Sequence, residues 1–470
     1  MTAGSRVLFA AGLSALVSLS CGFVSNSSQA KPDADVIVTA APIYEPLAAL
    51  KGGERFPRGA RLLLIHAGNT EPLVPDFAAS ADASVSFDGK KVLFAGKKAD
   101  DDRWQIWELT LADRTVRRVI TSNDDAIRPL YLPGWRLVYA QKTAHGFEVE
   151  SARLIDAKAL ADIEGASAKA VFPLTFIDGS AIPAEVLADG RILFESGFPL
   201  GNGSMPEMFL VYSDGSGVES YRCDHPANAA GGRWGGRQLK SSDVVFTHGV
   251  SLARFNSALA HEEPVATPHG EYAGSIAETE SGEWLIGVRD SATAKFALKL
   301  WKPGAGSMRT VLADRNANLI EPVVVDAHER PRRHPSALHD WEYANLLALD
   351  ARVSRDGDVK GTPASVRLEA QAPDGGAVAV GTAPVELDGS FFVKVPADRP
   401  IRFALLDAEG KVLRQEHGWF WIRRGEQRYC VGCHAGPERA PENGVPQVLL
   451  RTTTPVDLTV KWQPAQKGGN

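Results

Sequence analysis

A strand–turn–strand unit recurs along the chain at a spacing of roughly forty residues, and a unit of that period cannot bury its apolar face without neighbours of the same kind. In its clearest copy Ala83-Ser84-Val85-Ser86-Phe87 runs through Asp88-Gly89 into Lys90-Lys91-Val92-Leu93-Phe94-Ala95, and Gln105-Ile106-Trp107-Glu108-Leu109-Thr110-Leu111 follows as an outer strand. Leu187-Ala188-Asp189-Gly190-Arg191-Ile192-Leu193-Phe194 repeats the pattern, with Met208-Phe209-Leu210-Val211-Tyr212 outside it. Weaker copies centre on 132–139, 243–248 and 281–286. Near the ends of this region, 61–66 and 71–74 read as outer strands without an inner pair, and 320–325 as an inner strand without an outer pair. Joining them makes a sixth blade and removes the exposed edges an open sheet would leave. The expected fold is therefore all-β: a six-bladed β-propeller over 35–335.

Beyond a basic, proline-containing linker at 330–335 the pattern changes. Ala364-Ser365-Val366-Arg367-Leu368-Glu369-Ala370 alternates, Leu387-Asp388-Gly389-Ser390-Phe391 is a hairpin signal, and strands are expected at 401–406 and 419–422. Residues 340–470 are read as a small β-sandwich-like domain. The blades resemble those of TolB-like propellers, a likeness of fold that carries no function by itself.

At the N-terminus Arg6 precedes an apolar stretch over 7–19, too short to span a bilayer and suited to a signal-peptide core. Cleavage after Ser28-Gln29-Ala30 would remove residues 1–30 and leave a periplasmic protein. Cys21 offers the alternative of a lipoprotein, although Ser18 stands where a lipobox has leucine. No later segment is long and apolar enough to be a transmembrane helix. The net charge is −6, and basic residues such as Arg330, Arg332 and Arg333 occur only in short clusters, so the chain has no nucleic-acid footprint.

Cys430-Val431-Gly432-Cys433-His434 is the Cys-x-x-Cys-His signature that binds haem c through two thioethers and offers a histidine to iron. No Met or His follows His434, so the second iron ligand comes from elsewhere or is absent. The chain has 4 cysteines. With Cys430 and Cys433 on haem and Cys21 lost or lipidated, Cys223 has no disulfide partner and is either a buried inert thiol or a metal ligand.

Val385-Glu386-Leu387-Asp388-Gly389-Ser390-Phe391, Trp419-Phe420-Trp421, the haem motif and Ala440-Pro441-Glu442-Asn443-Gly444-Val445-Pro446 together resemble the middle domain of the hydrazine synthase α subunit family. That family places a six-bladed propeller before the domain and a second c-type haem in a further C-terminal domain, which this sequence does not show. The resemblance implies zinc held by Asp82, Cys223, His248 and His434. Cys223 is read as ending an outer strand, His248 an inner one, and Asp82 as just preceding the first strand of its blade. All three then fall at one rim, with Asp88 at the opposite rim and His225 as the substitute for His248. One thiolate, two imidazoles and a carboxylate suit tetrahedral zinc. The family's iron is bound by a tyrosine four residues after the motif histidine, where this sequence has Glu438. Glu438 is thus a candidate oxygen ligand to an open haem, and ordinary ligation by His434 is the alternative. Two functions follow. One is a haem-dependent oxidoreductase acting on a small nitrogen- or oxygen-containing substrate. The other is an electron-transfer or binding module with a six-coordinate haem, docked to a redox partner protein or partner subunits.

Overall fold

The computed structural model describes residues 30–154, 171–197, 205–221, 232–257, 261–353, 357–372, 375–416, 418–432 and 444–459. Six four-stranded antiparallel sheets span the first part of the chain, their first strands being Ala79–Val85, Ala126–Leu132, Ala181–Val186, Arg233–Gln238, Glu271–Glu278 and Asn318–Val325. Each of these inner strands packs against the next, and Asn318–Val325 packs back on Ala79–Val85, so the sheets close into a propeller. The sixth blade joins both ends of the region: Asn318–Val325, then Asp35–Ala41, Arg61–His66 and Asn69–Pro72. Asp35–Ala41 supplies the strand missing from the sequence reading; its register pairs Val36 with Ile65 on one side and with Val324 on the other.

Every blade has a register shift between its inner strand and the next strand. The breaks fall between Ala81 and Ser84, Ile127 and Leu130, Pro183 and Glu185, Trp234 and Arg237, and Ala273 and Ala277. In the sixth blade the break lies between Ile37 and Thr39, opposite the stretch containing Glu321. At five of these bulges the chain turns left-handed, with φ of 59° at Asp82, 54° at Arg128, 70° at Gly235, 58° at Gly274 and 52° at Glu321. Gly235 has no substitute, because a Cβ there would stand 2.7 Å from the Gly274 backbone of the next blade.

Three of the bulges carry charge. Arg55, from the segment linking Asp35–Ala41 to Arg61–His66, donates from Nη1 to Asp82 Oδ1 at 2.5 Å and from Nη2 to Glu321. The Arg128 amide donates to Asp82 Oδ2 at 3.1 Å, its guanidinium lies 3.4 Å from Glu321, and the Tyr44 hydroxyl donates to Glu321 at 3.3 Å. Burial alone would raise the Asp82 carboxyl, but the charges of Arg55 and Arg128 and their hydrogen bonds outweigh it and hold the carboxyl below its ordinary value. The cavities beside this cluster measure about 20 and 10 Å³, room for no more than single waters.

After the propeller the chain runs along the rim of the Asp-Gly turns: the His328 amide donates to Phe87 O at 3.0 Å and the Arg332 amide to Ala188 O at 3.0 Å. Two further sheets follow, in the orders Gln427–Cys430, Tyr343–Ala348, Phe391–Pro396, Val456–Asp457 and Ala377–Pro384, Ser365–Gln371, Ile401–Leu406, Val412–Gln415. Leu346, Val393 and Val395 of one face Val366, Leu368 and Leu405 of the other in a single core, which makes a sandwich. Asp388-Gly389 does not close a hairpin. The strand before it pairs with Ser365–Gln371 and the strand after it with Tyr343–Ala348, so this turn carries the chain between sheets. Nor do residues 419–422 form a strand beyond one bridge, Ile401 to Phe420. Trp421 instead leaves the sandwich, packs with Leu174, Ile192 and Phe194 of the second and third blades, and donates from Nε1 to Gly215 O at 3.1 Å.

Replacing Arg55 by Ala would leave Asp82 and Glu321 without their shared cation. Breaking a buried pair in this way costs about 3–5 kcal/mol, read as a lowered midpoint in urea unfolding. Because Asp82 is held below its unfolded value of 3.8, its contribution is complete above that value and lost as pH falls through the lower folded value. The stability difference between wild type and Asp82→Asn should therefore shrink on acidification.

Candidate functional site

The strand Gln427–Cys430 ends at the first cysteine of the haem motif and runs parallel to Tyr343–Ala348, with Cys430 beside Ala348. It is fixed to the propeller as well as to the sandwich. Arg428 donates from Nη1 to Val218 O at 2.9 Å and from Nε to Glu426 Oε1 at 2.8 Å, and Glu426 Oε1 also accepts from the Gly217 amide at 3.2 Å. Arg423 donates from Nε to Asp214 O at 3.1 Å and from Nη1 to Asp398 Oδ1 at 2.6 Å. Side chains alternate along a strand. Arg428 therefore reaches the blade while Gln427 and Tyr429 face solvent, Tyr429 with 67% of its surface exposed.

Burial pushes the Cys430 thiol up to about 11; Arg428 opposes this, while Glu416 and Glu426 add to it. At neutral pH the side chain is thus a neutral thiol rather than a loose thiolate. Exposed Tyr429 and Val431 flank it, an apolar surface of the kind a porphyrin covers. A haem held at Cys430 would meet Tyr429 and Val431 as its described exposed neighbours. Cys433, His434 and Glu438 lie outside the described residues, as do Cys223 and His225.

The residues read as a zinc set are placed as follows. Asp82 lies inside Ala79–Val85, at the bulge on the axis, with both carboxylate oxygens taken by Arg55 and Arg128. It does not fit as a metal ligand, since a metal would have to displace a buried guanidinium. Asp88 is in the turn at the far end of the same blade, where its Oδ1 accepts from Ser86 at 2.7 Å. His248 ends Val244–His248, the second strand of the fourth blade, at the rim away from the Asp-Gly turns. Its Nδ1 meets Glu262 Oε1 at 2.5 Å, and its Nε2 is buried without a hydrogen-bond partner among the described residues. Among the described residues no group of three or more His, Cys, Asp and Glu side chains is placed to hold a metal ion. Glu262, Arg55 and Glu416 were not singled out from sequence, since isolated charged residues in loops and edge strands carry no spacing signal.

Comparison with known proteins agrees with this architecture. Residues 349–435 match the family model of the hydrazine synthase alpha subunit middle domain. A chain of Kuenenia stuttgartiensis hydrazine synthase superposes with a TM-score of 0.74 at 18% identity, covering 90% of this chain and 72% of that one. Over 349–435, then, this chain is similar to the hydrazine synthase alpha middle domain. TolB from Acinetobacter baumannii is a more distant neighbour, with a TM-score of 0.46 at 13% identity, covering 63% of this chain and 67% of its own. No curated protein sequence matches. Beyond the matched middle domain, the likeness to the hydrazine synthase chain is one of fold, and the chemistry rests on the residues themselves.

Burial pushes the Glu416 carboxyl up to about 7, against the Phe403 amide bonded to it and the nearby charges of Arg402 and Arg414. A carboxyl raised in the fold contributes stability that is complete below its unfolded value near 4.5 and lost as pH rises to about 7. Glu416→Gln should therefore flatten the pH dependence of thermal stability across that window, by roughly 2 kcal/mol at its upper end.

Proposed function

We propose that this is an exported c-type haem protein that carries out redox chemistry on a small nitrogen- or oxygen-containing substrate at an open haem face. The observation that carries the reading is Cys430 on a strand clamped between sandwich and propeller, the first residue of a Cys-x-x-Cys-His motif with apolar neighbours exposed beside it. Cys430 and Cys433 would hold the macrocycle, and the haem would supply electron storage and substrate activation at iron. The chain's own part is positional. Arg423, Glu426 and Arg428 tie the attachment strand to the third blade, so that the propeller wall and the motif are held as one body. The likeness to a hydrazine synthase subunit supports assembly with partner subunits. The 7–19 stretch and the small-x-Ala site support export to the periplasm. Among the described residues no helix is long and apolar enough to cross a membrane.

Zinc enters this reading through Cys223, His248 and His434, without Asp82. If His434 serves zinc, Glu438 would be the candidate oxygen ligand to iron; if His434 serves iron, the electron-transfer reading gains.

Protein matured with the cytochrome c machinery should show a haem-stained band on a denaturing gel, lost or weakened in Cys430→Ala. Absence of the band from wild type would remove the proposal. An open haem predicts a high-spin ferric spectrum that shifts with cyanide or nitric oxide and changes strongly in Glu438→Gln. A six-coordinate low-spin spectrum, silent to that substitution, would support the electron-transfer module instead.

A further inference from the structure

We propose that the cavity between the linker and the turns of the second and third blades is a binding site for a small organic carboxylate, recognised by Arg136, Arg333 and Arg423. It is separate from the haem motif and does not depend on it. The cavity measures about 290 Å³, against about 20 and 10 Å³ beside the Arg55 cluster, so it has room for a molecule rather than for single waters. The linker forms one wall, and its contacts alternate. The Arg332 amide donates to Ala188 O at 3.0 Å, the His334 ring stands edge-on to Tyr212 with 4.7 Å between centres, and Ser336 Oγ donates to Asp214 Oδ2 at 2.7 Å, all on the third blade. Arg333 lies between these anchors and reaches the second blade instead: a Cβ on Gly134 would stand 3.6 Å from its Nε.

Three guanidinium groups thus line the cavity from three parts of the fold: the second blade, the linker and the sandwich. Arg136 donates from Nε to Ser151 Oγ at 2.8 Å and from Nη2 to Ser151 O at 3.0 Å, with its guanidinium 4.6 Å from the centre of the Phe172 ring. Burial, and then the like charge of Arg153, lower it to about 10; it is still a cation at neutral pH, and an anion beside it offsets both effects. Among the described residues lining the cavity the one acid is Asp214, and it is engaged already. Its Oδ1 accepts from the Ser216 amide at 2.9 Å and hydroxyl at 2.6 Å, and its Oδ2 from Ser336. Positive charge is therefore in excess, in the planar form that matches a carboxylate. Leu132, Phe172 and Leu338 supply apolar wall for an organic body. The turn that carries Gly134 adds a further sign. Trp135 has a φ of 62° and is 56% exposed, so this bulky side chain bears left-handed backbone without the return of burial. Folding does not account for it, and strain of this kind is retained at ligand sites.

The test is isothermal titration of the full haem-loaded chain at fixed ionic strength, with benzoate, neutral benzamide and inorganic phosphate as probes. Benzoate should bind at one site per chain, and benzamide should not. Arg333 is exposed, so its replacement leaves the fold intact. Arg333→Gln should weaken benzoate about tenfold or more, the loss expected for a hydrogen bond to a charged group, and Arg333→Lys should recover part of it. Arg330→Gln removes the same charge from the same linker, but at the first blade, where its guanidinium lies 5.8 Å from the centre of the Phe87 ring; binding there should stay within about twofold of wild type, since a distant exposed charge is screened. The absence of a saturable benzoate site up to millimolar concentrations overturns the proposal. So does benzoate binding that is unchanged in Arg333→Gln, or weakened equally in Arg330→Gln. Benzamide binding as tightly as benzoate would mean an apolar pocket without charge recognition, and phosphate binding in place of benzoate an inorganic oxyanion site; either result also overturns it.

Discussion

Arg55 is the side chain on which the ring depends most directly. Its two arms reach Asp82 on the first blade and Glu321 on the sixth, so one guanidinium joins sheets that neighbour each other in space but lie at opposite ends of the propeller sequence. At 5% exposure this cation would be costly to bury alone, and so would the two carboxylates it meets. Both acids also sit in left-handed backbone that favours glycine. Strain and desolvation at the axis are offset together, by pairing and by the hydrogen bonds from Arg128 and Tyr44. That Asp82 is spent here explains why it is not free for a metal.

A closed ring gives the rest of the molecule a wall that does not shear, and the sandwich uses it. Trp421 enters the seam between the second and third blades, while Arg423, Glu426 and Arg428 bind main-chain atoms in the turn between the third blade's Glu207–Val211 and Glu219–Ser220 strands. These contacts bracket the approach to Cys430. The position of the haem motif is therefore inherited from the blades, although the motif belongs to another core.

Much of the fold was legible because its signals are local. Asp88-Gly89 and Asp189-Gly190 mark tight turns between apolar strands, and repetition fixes the architecture. Asp35–Ala41 was missed because its strand is completed by residues nearly the whole propeller away, and no turn announces it. Asp388-Gly389 looked like a hairpin because a turn dipeptide fixes the local reversal and not the partner of either strand. Trp421 read as part of a strand because its apolar character suits any buried surface. In the candidate site the cysteine motif was legible by spacing; the Glu262 carboxyl at His248 was not, since the fold rather than the spacing brings a loop acid to the end of a strand.

The sixth blade also sets a timetable. Asp35–Ala41 must wait for Asn318–Val325 before the ring can close, a loop closure spanning almost the entire propeller, and long-range β pairing of this kind is slow. Until then the inner edge of Asp35–Ala41 is bare, a template for the wrong neighbour. The seam that receives Trp421 belongs to the second and third blades, which are synthesised earlier and need no such wait. A chain made from its N-terminus would thus have a docking seam ready for the sandwich before its own ring was shut, with the last strand pairing acting as the latch.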